Sequence, residues 1–496
     1  MPVSPLPYTT ISPGLGDPEV AEWLAAIPER SQIDTTWVSL TLPLPELDTL
    51  VALSALLTYC HSPHPWHFYL EHPHTHQVIL GVEVLHDFQA QAPDRFDQIR
   101  LFSQQTLADL TPMTPDWPLN QGLDPLLPGL TGTRIFCTFS FFDQAHHSGL
   151  KHPTTTPGFP VAWAVLPRWQ LAQTDQGTTL TLTSERPRND QAWQGLIKEL
   201  WMAWQTLQTP LSVPLPPKLS LTLPNLDAQA QAFQTQVQQA LQKIATGTLE
   251  KLVLACAIDI RANQDLQGLP TVHHLRQTYP SCYSFSISNG QGQTFIGASP
   301  ERLVSLAAGH IRVDALAGSA PRDQQAEVDQ RLGLELQQSQ KDLREHQVIV
   351  DFLRQALGEF TSQIMIPTQP TLLRLANIQH LQTLIQAWVG AEVHILDIVT
   401  RLHPTPAVAG HPQHQACQHL VNQEDWERGL YAAPLGWINA TGEGEFIVGI
   451  RSALLSGKEA RVYGGAGIVA GSEPEREWEE ILLKLKTLLT ALTGSS

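Results

Sequence analysis

The chain has few cysteines, few basic residues and no long apolar run, and each shortage removes a class of protein. Five cysteines, at 60, 137, 256, 282 and 417, are scattered over 496 residues. Their number is odd and no CxxC occurs, so no disulfide frame is indicated and a reducing compartment is expected. Lys and Arg total 30 against 47 Asp and Glu, for a net charge of −17. Such a chain repels phosphate backbones, which argues against nucleic acid as a partner. An anionic small substrate would then need a local cationic pocket or a metal. No stretch reaches the roughly 20 apolar residues of a membrane-spanning helix. The opening "MPVSPLPYTTIS" carries neither the basic start nor the apolar core of a signal peptide. A cytoplasmic location is the expectation. No GxGxxG opens a helix and no Walker A motif occurs, so nucleotide binding has no support.

What is present divides into two textures. Residues 1–208 are rich in Pro, Trp and His. They alternate strand-like runs ("TTWVSLTL", "TRIFCTFSFF", "PVAWAVLP") with a clear helix, "DQAWQGLIKELWMAWQTLQ". The proline-rich stretch at 209–227 reads as a connector. Residues 228–496 form the second region. A helix runs from 225 to 247 with apolar positions Ala230, Phe233, Val237, Leu241 and Ile244. Strands are expected at 252–260, 283–288, 294–297, 302–306, 311–316, 446–455 and 460–464. Helices are expected at 323–359 (with a break), 424–432 and 474–492. Runs of strands broken by blocks of helix predict an α/β (α+β) fold rather than strict βαβ winding.

Lys251 is the first candidate for chemistry. The nine residues that follow it include one charge, Asp259. Strand alternation puts Lys251, Val253 and Ala255 on one face. A strand-start lysine that reaches out to water is the common case, because lysine is almost never fully buried. A desolvated lysine would instead lose its proton easily and act as a general base. Glu301, in "GASPERLVSL", sits at a turn before a strand and is a possible acid opposite it. "DALAGSAPR" (314–322) ends a strand in a Gly-Ser turn whose N–H groups suit a carboxylate.

Four carboxylates form two pairs. Asp342 and Glu345 are three apart on one predicted helix; Glu477 and Glu480 are three apart on another, with Lys484 one turn on. Each set shares a face. Alone, either is an ordinary solvated face. Facing each other, the two pairs would make a hard-oxygen site suited to Mg²⁺. The phrase "GGAGIVAGSEPERE" reads as a glycine-rich bend feeding the second helix, with Ser472 as N-cap and Pro474 in the first turn. Arg451 is a lone cation in an apolar strand and fits a carboxylate by its bidentate fork. Tyr431 is either packed or a donor to the same anion. Histidine clusters at 61–67, 72–76 and 411–419 lie among prolines or lack a closed zinc pattern.

Six segments now occur in one order: "GASPERLV", "DALAGSAPR", "EHQVIV", "LHPTPAVAG", "GLYAAPLGW" and "GGAGIVAGSEPEREWEE". As a set they resemble the chorismate-utilising enzymes over about 228–496. The resemblance implies one large fold with two stacked antiparallel sheets surrounded by helices, to which the divergent N-terminal half contributes. It also implies roles. Lys251 matches the lysine that activates water for attack at C2 of chorismate, and Glu301 the acid that protonates the leaving C4 hydroxyl. Glu345 and Glu480 match direct Mg²⁺ ligands, with Asp342 and Glu477 acting through water. Tyr431, Arg451 and the Gly465 backbone match groups that bind the enolpyruvyl carboxylate. Lys484 matches a lysine at the metal site, Gly318 and Ser319 the turn near C4, and His380 a histidine near the ring carboxylate.

Two positions bear on the branch. A lysine at 251 resembles the members that use water; the ammonia-using members generally carry a non-basic residue there. Ala407 stands where the lyase and ammonia branches usually show threonine. The resemblance therefore implies isochorismate synthesis for a quinone pathway (menaquinone or phylloquinone), by a monomer with no glutaminase subunit. The alternatives are salicylate synthase and, further off, an anthranilate or aminodeoxychorismate synthase component.

Overall fold

The computed structural model describes residues 25, 27, 33–60, 62–91, 93–113, 132–143, 158–208 and 219–493. His61 and most of the proline-rich connector lie outside them. The strands form one hydrogen-bonded network with two arms. The longer arm runs Leu110–Met113, Trp37–Leu44, Gly177–Glu185, Ala162–Thr174, Gln77–Ala90 and His67–His72. It continues through Tyr283–Ser288, Gln293–Ser299, Ser452–Ser456, Glu459–Val469 and Lys251–Ala262. The other arm runs Ile135–Phe139, Pro434–Ile438, Gly444–Val448, Arg302–Ala307, His310–Pro321 and Ile378–Trp388. Ala162–Thr174 belongs to both, because its first residues pair with Ile135–Phe139 and its last with Gly177–Glu185. All these pairings are antiparallel except Trp37–Leu40 with Leu110–Met113.

The arms pack face to face as the two stacked sheets. Phe68 of one meets Phe136 of the other with ring centroids 4.9 Å apart, and the Tyr283 hydroxyl donates to Glu445 across the gap at 2.9 Å. Each arm joins a block of strands from the first half of the sequence to a block from the second, so a single apolar core spans both halves.

Helices cover the outside. In Leu226–Ala245, Phe233 and Val237 are buried as their spacing predicts, with Ala240 completing the stripe. Ala230, Leu241 and Ile244 flank it half-buried. The predicted 323–359 helix is two helices, Ala326–Gln338 and Gln340–Gly358. The break falls at Ser339, whose hydroxyl accepts from Asp342 N–H and caps the second.

Two expectations fail for local reasons. No helix forms at 424–432; the helix there is Gln413–Gln423. Gly429 and Ala432 take φ of +52° and +61°, outside helical geometry. The expected strand 446–455 is two strands, Gly444–Val448 and Ser452–Ser456, belonging to different arms. The chain crosses between them at Arg451, with φ +49°.

Candidate active site

Lys251 begins the strand Lys251–Ala262, which pairs with Glu459–Val469 so that Val253 faces Gly467 and Ala255 faces Gly465. Glycine on the partner strand leaves a trough for the lysine. A methyl group on Gly467 would run into the Glu345 carboxylate and come within 3.0 Å of Lys251 Cε. Lys251 is 1% exposed, and its Nζ lies 2.9 Å from Glu345 Oε1. The side chain is thus buried on the alternation face with Val253, not extended to water. Of the glycines predicted as a bend, Gly464, Gly465 and Gly467 lie inside the strand Glu459–Val469, and Gly471, at φ +91°, lies in the turn after it. The Ser472 hydroxyl accepts from Val469 N–H, so it closes the turn ahead of the helix Pro474–Thr493.

Glu301 sits at the corner where the chain passes from Gln293–Ser299 to Arg302–Ala307. Its N–H donates to the Ser299 hydroxyl, its carbonyl accepts from Val448 N–H, and it is 4% exposed. Burial pushes its carboxyl up to about 8, with Lys251 and Lys484 pulling down and Asp314 pushing up. At neutral pH the group is a carboxylic acid and carries the proton that a general acid needs.

Lys251, Glu301, Gly318, Ser319, His380, Ala407, Tyr431, Arg451, Gly465 and Lys484 all line one cavity, together with Glu345 and Glu480. Asp342 and Glu477 stand behind it. Gly318 has φ +73°, and a Cβ there would sit 3.0 Å from Asp342 Cβ, so only glycine lets the Gln340–Gly358 helix approach. Arg451 Nη2 donates to His380 Nε2 at 2.6 Å, while Arg451 Nη1, though buried, has no hydrogen-bond partner. The Tyr431 ring stacks on Tyr463 at 4.9 Å, and its hydroxyl is so near Gly465 that a Cβ there would lie 2.7 Å away. The Gly465 carbonyl accepts from Lys484 Nζ at 2.7 Å.

The free space is about 90 Å³, well under the roughly 300 Å³ of an ordinary small-ligand site. Ion-paired side chains fill it: Lys251 with Glu345 and Lys484 with Glu480 at 2.7 Å. A larger cavity, about 380 Å³, lies between the sheets around Tyr283, Arg302 and Trp437. Of the residues singled out from the sequence it holds only His72, from the 72–76 histidine cluster, and none of the candidate catalytic, substrate-binding or metal residues.

The four carboxylates supply hard oxygen donors from two helices, Gln340–Gly358 and Pro474–Thr493, which suits Mg²⁺. They also feel one another. Burial raises Asp342, with Glu345 and Glu480 adding to it; burial raises Glu477, with Glu480 adding to it. Against burial, the Lys484 ammonium holds Glu480 below the usual carboxylate range. Glu345, Glu480 and Glu477 each rest on a lysine here, the last on Lys341 at 2.7 Å. Among the described residues no three metal-binding side chains close on one point. The donor chemistry suits the ion, and three of the four carboxylates are paired with lysines.

Some site residues escaped the sequence reading. Tyr463, Val408 and Gly467 line the cavity. Arg428, 2% exposed, grips Glu424 and donates to the Val408 and Val253 carbonyls at 2.8 and 3.1 Å. Strand alternation with Gly465 would have found Tyr463 and Gly467; nothing local flags Arg428. Among the described residues no helix is long and apolar enough to cross a membrane.

A search for relatives agrees with this geometry. The family described as chorismate binding enzyme matches residues 22–493. The salicylate biosynthesis isochorismate synthase of Pseudomonas aeruginosa is 40% identical over 271 residues, 54% of this chain and 56% of that protein. Isochorismate synthase MenF of Bacillus subtilis is 38% identical over 258 residues, 52% of this chain and 55% of that one. The match thus spans about half the length of each relative. Among solved structures, MenF of Escherichia coli, described as a menaquinone-specific isochorismate synthase, superposes with a TM-score of 0.72 at 25% identity. It covers 95% of this chain and 98% of its own. The chain belongs to the chorismate-binding enzyme family.

Proposed function

We propose that the chain is an isomerase that converts chorismate to isochorismate, reversibly and with Mg²⁺. The observation that carries this reading is that buried Lys251 and buried, protonated Glu301 share one cavity with Arg451, whose Nη1 has no partner. Arg451 and Tyr431 hold the enolpyruvyl carboxylate. Lys251, freed from Glu345 and acting as the neutral amine once its ammonium proton has passed to solvent, takes a proton from water as the water oxygen bonds to C2. The ring double bonds shift, and the C4 hydroxyl departs with the proton of Glu301. One water enters and one leaves, so the reaction is an isomerisation and needs no redox cofactor. Glu345 and Glu480 would hold Mg²⁺, with Asp342 and Glu477 behind them. When bound, the ion supplies positive charge to a substrate carboxylate.

The names of the relatives support the product; they divide between salicylate and quinone routes. The near-complete overlap with a menaquinone-specific enzyme favours a quinone route, menaquinone or phylloquinone, and a cytoplasmic location goes with that reading. A monomer without a glutaminase subunit suffices, because water is the nucleophile. The test is a product assay with purified protein, chorismate and Mg²⁺. Isochorismate without pyruvate is expected. Salicylate with pyruvate would mark a salicylate synthase instead, and anthranilate made from ammonia would mark the amine-forming branch. No turnover at all would leave a chorismate-binding subunit.

A further inference from the structure

The resemblance places His380 against the substrate, but the hydrogen bonds around its ring point elsewhere. Nδ1 lies 3.2 Å from the Gly318 carbonyl and 3.1 Å from the Ser319 hydroxyl. Nε2 lies 2.6 Å from Arg451 Nη2. A guanidinium nitrogen can only donate, so Nε2 must accept. The ring is therefore neutral, with its proton on Nδ1, where the Gly318 carbonyl takes it. Both nitrogens are spent on protein. Neither is left for a ligand.

Arg451 completes the picture. It is 5% exposed, as is His380. Its backbone stands at φ +49°, a left-handed conformation that is strained for a non-glycine residue. Of the three cations on the cavity wall, Lys251 and Lys484 each rest on a carboxylate. Arg451 rests on a neutral acceptor, so its charge is not cancelled. Nη1, held beside an anchored Nη2, keeps an unused donor. A buried donor without an acceptor is costly by itself. A ligand carboxylate would remove that cost.

We propose that His380 is a positioning residue, which by accepting from Nη2 fixes the guanidinium so that Nη1 meets a substrate carboxylate, and which touches no substrate itself. A carboxylate could not replace it, since it would neutralise the charge the ligand needs. The inference deepens the proposed function and rests on it for the identity of the ligand.

The test is a double-mutant cycle read by equilibrium binding of chorismate, in calorimetry, alongside steady-state turnover. His380→Leu removes the acceptor. It should weaken binding and raise KM by about tenfold, the scale of one lost charged hydrogen bond, with kcat changed far less. In an Arg451→Ala background the same substitution should change binding by less than about twofold, because the group it positions is gone. His380→Gln keeps an acceptor oxygen and should recover most of the affinity, which also guards against misfolding of the leucine variant. Equal losses from His380→Leu in both backgrounds would overturn the proposal, as would a glutamine variant no better than leucine. Wild-type protein that binds chorismate without making isochorismate would sink the proposed activity and leave the cycle readable. Wild-type protein that does not bind chorismate would overturn both.

Discussion

Lys251 Nζ lies 2.9 Å from Glu345 Oε1, so the prospective base and a prospective metal ligand neutralise each other in a closed site. Lys251→Ala should still bind chorismate but make isochorismate at least about a hundredfold more slowly, the usual scale of acid–base effects. It also strands a carboxylate that is 8% exposed, a loss on the order of 3–5 kcal/mol for a broken buried pair. Adding Glu345→Gln should restore the melting temperature and leave turnover low. Near-wild-type turnover by Lys251→Ala refutes the assignment.

Glu301 dictates an alkaline limb. Its folded carboxyl titrates near 8 against an ordinary 4.5. The acid form exists below that value and is lost above it, so kcat/KM should fall as pH rises through about 8. Glu301→Gln should bind chorismate and lose roughly a hundredfold or more in rate. Between about 4.5 and 8 the folded chain keeps a proton that the unfolded chain releases, so this group lowers stability as pH rises. The glutamine variant should therefore gain in melting temperature over wild type as pH goes from 5 to 8. A gap that stays constant would show that Glu301 is not protonated in the fold.

Gly467→Ala tests the trough under the lysine. The added methyl meets the Glu345 carboxylate and crowds Lys251 Cε. The strand has eleven residues and a full partner, so the fold should survive while turnover falls at least about tenfold, the scale of a misplaced catalytic group. Circular dichroism with kinetics checks both halves. Unchanged turnover would mean that the side chains repack without consequence.

Mg²⁺ binding can be titrated by calorimetry. Glu345→Gln and Glu480→Gln should abolish it. Asp342→Asn and Glu477→Gln, standing behind the cavity, should weaken it by roughly 10–100-fold, as outer partners do. Four equal effects would remove the distinction between direct and indirect ligands.

Ala407 lines the cavity beside Val408. Ala407→Thr introduces a hydroxyl where the lyase branch carries one, and pyruvate release relative to isochorismate should rise. A product ratio identical to wild type counts against this position as the branch determinant.

The sequence was most readable where structure is periodic. The strand at 283–288 and the helix Pro474–Thr493 stand where alternation and helical period place them, although Ser472 closes the preceding turn instead of capping the helix. It misled at 424–432 and 449–451, where single residues in left-handed geometry break the pattern. Such residues carry no periodic signal, and Arg451 is one of them.

By itself the sequence determined which side chains exist for the chemistry: a lysine in an apolar strand, an acid at a Ser-Pro corner, two carboxylate pairs at helical spacing. Those follow from local rules, since alternation and helical period set the face on which a residue lies. Only the tertiary structure decided what each group meets. Lys251 and Glu301 are 50 positions apart along the chain, and Arg451 and His380 are 71; separations of that length are closed by sheet pairing and packing, which no local pattern encodes. The neutral ring of His380 and the unused donor of Arg451 belong to that second level, because a proton's place is set by the neighbours that the fold supplies.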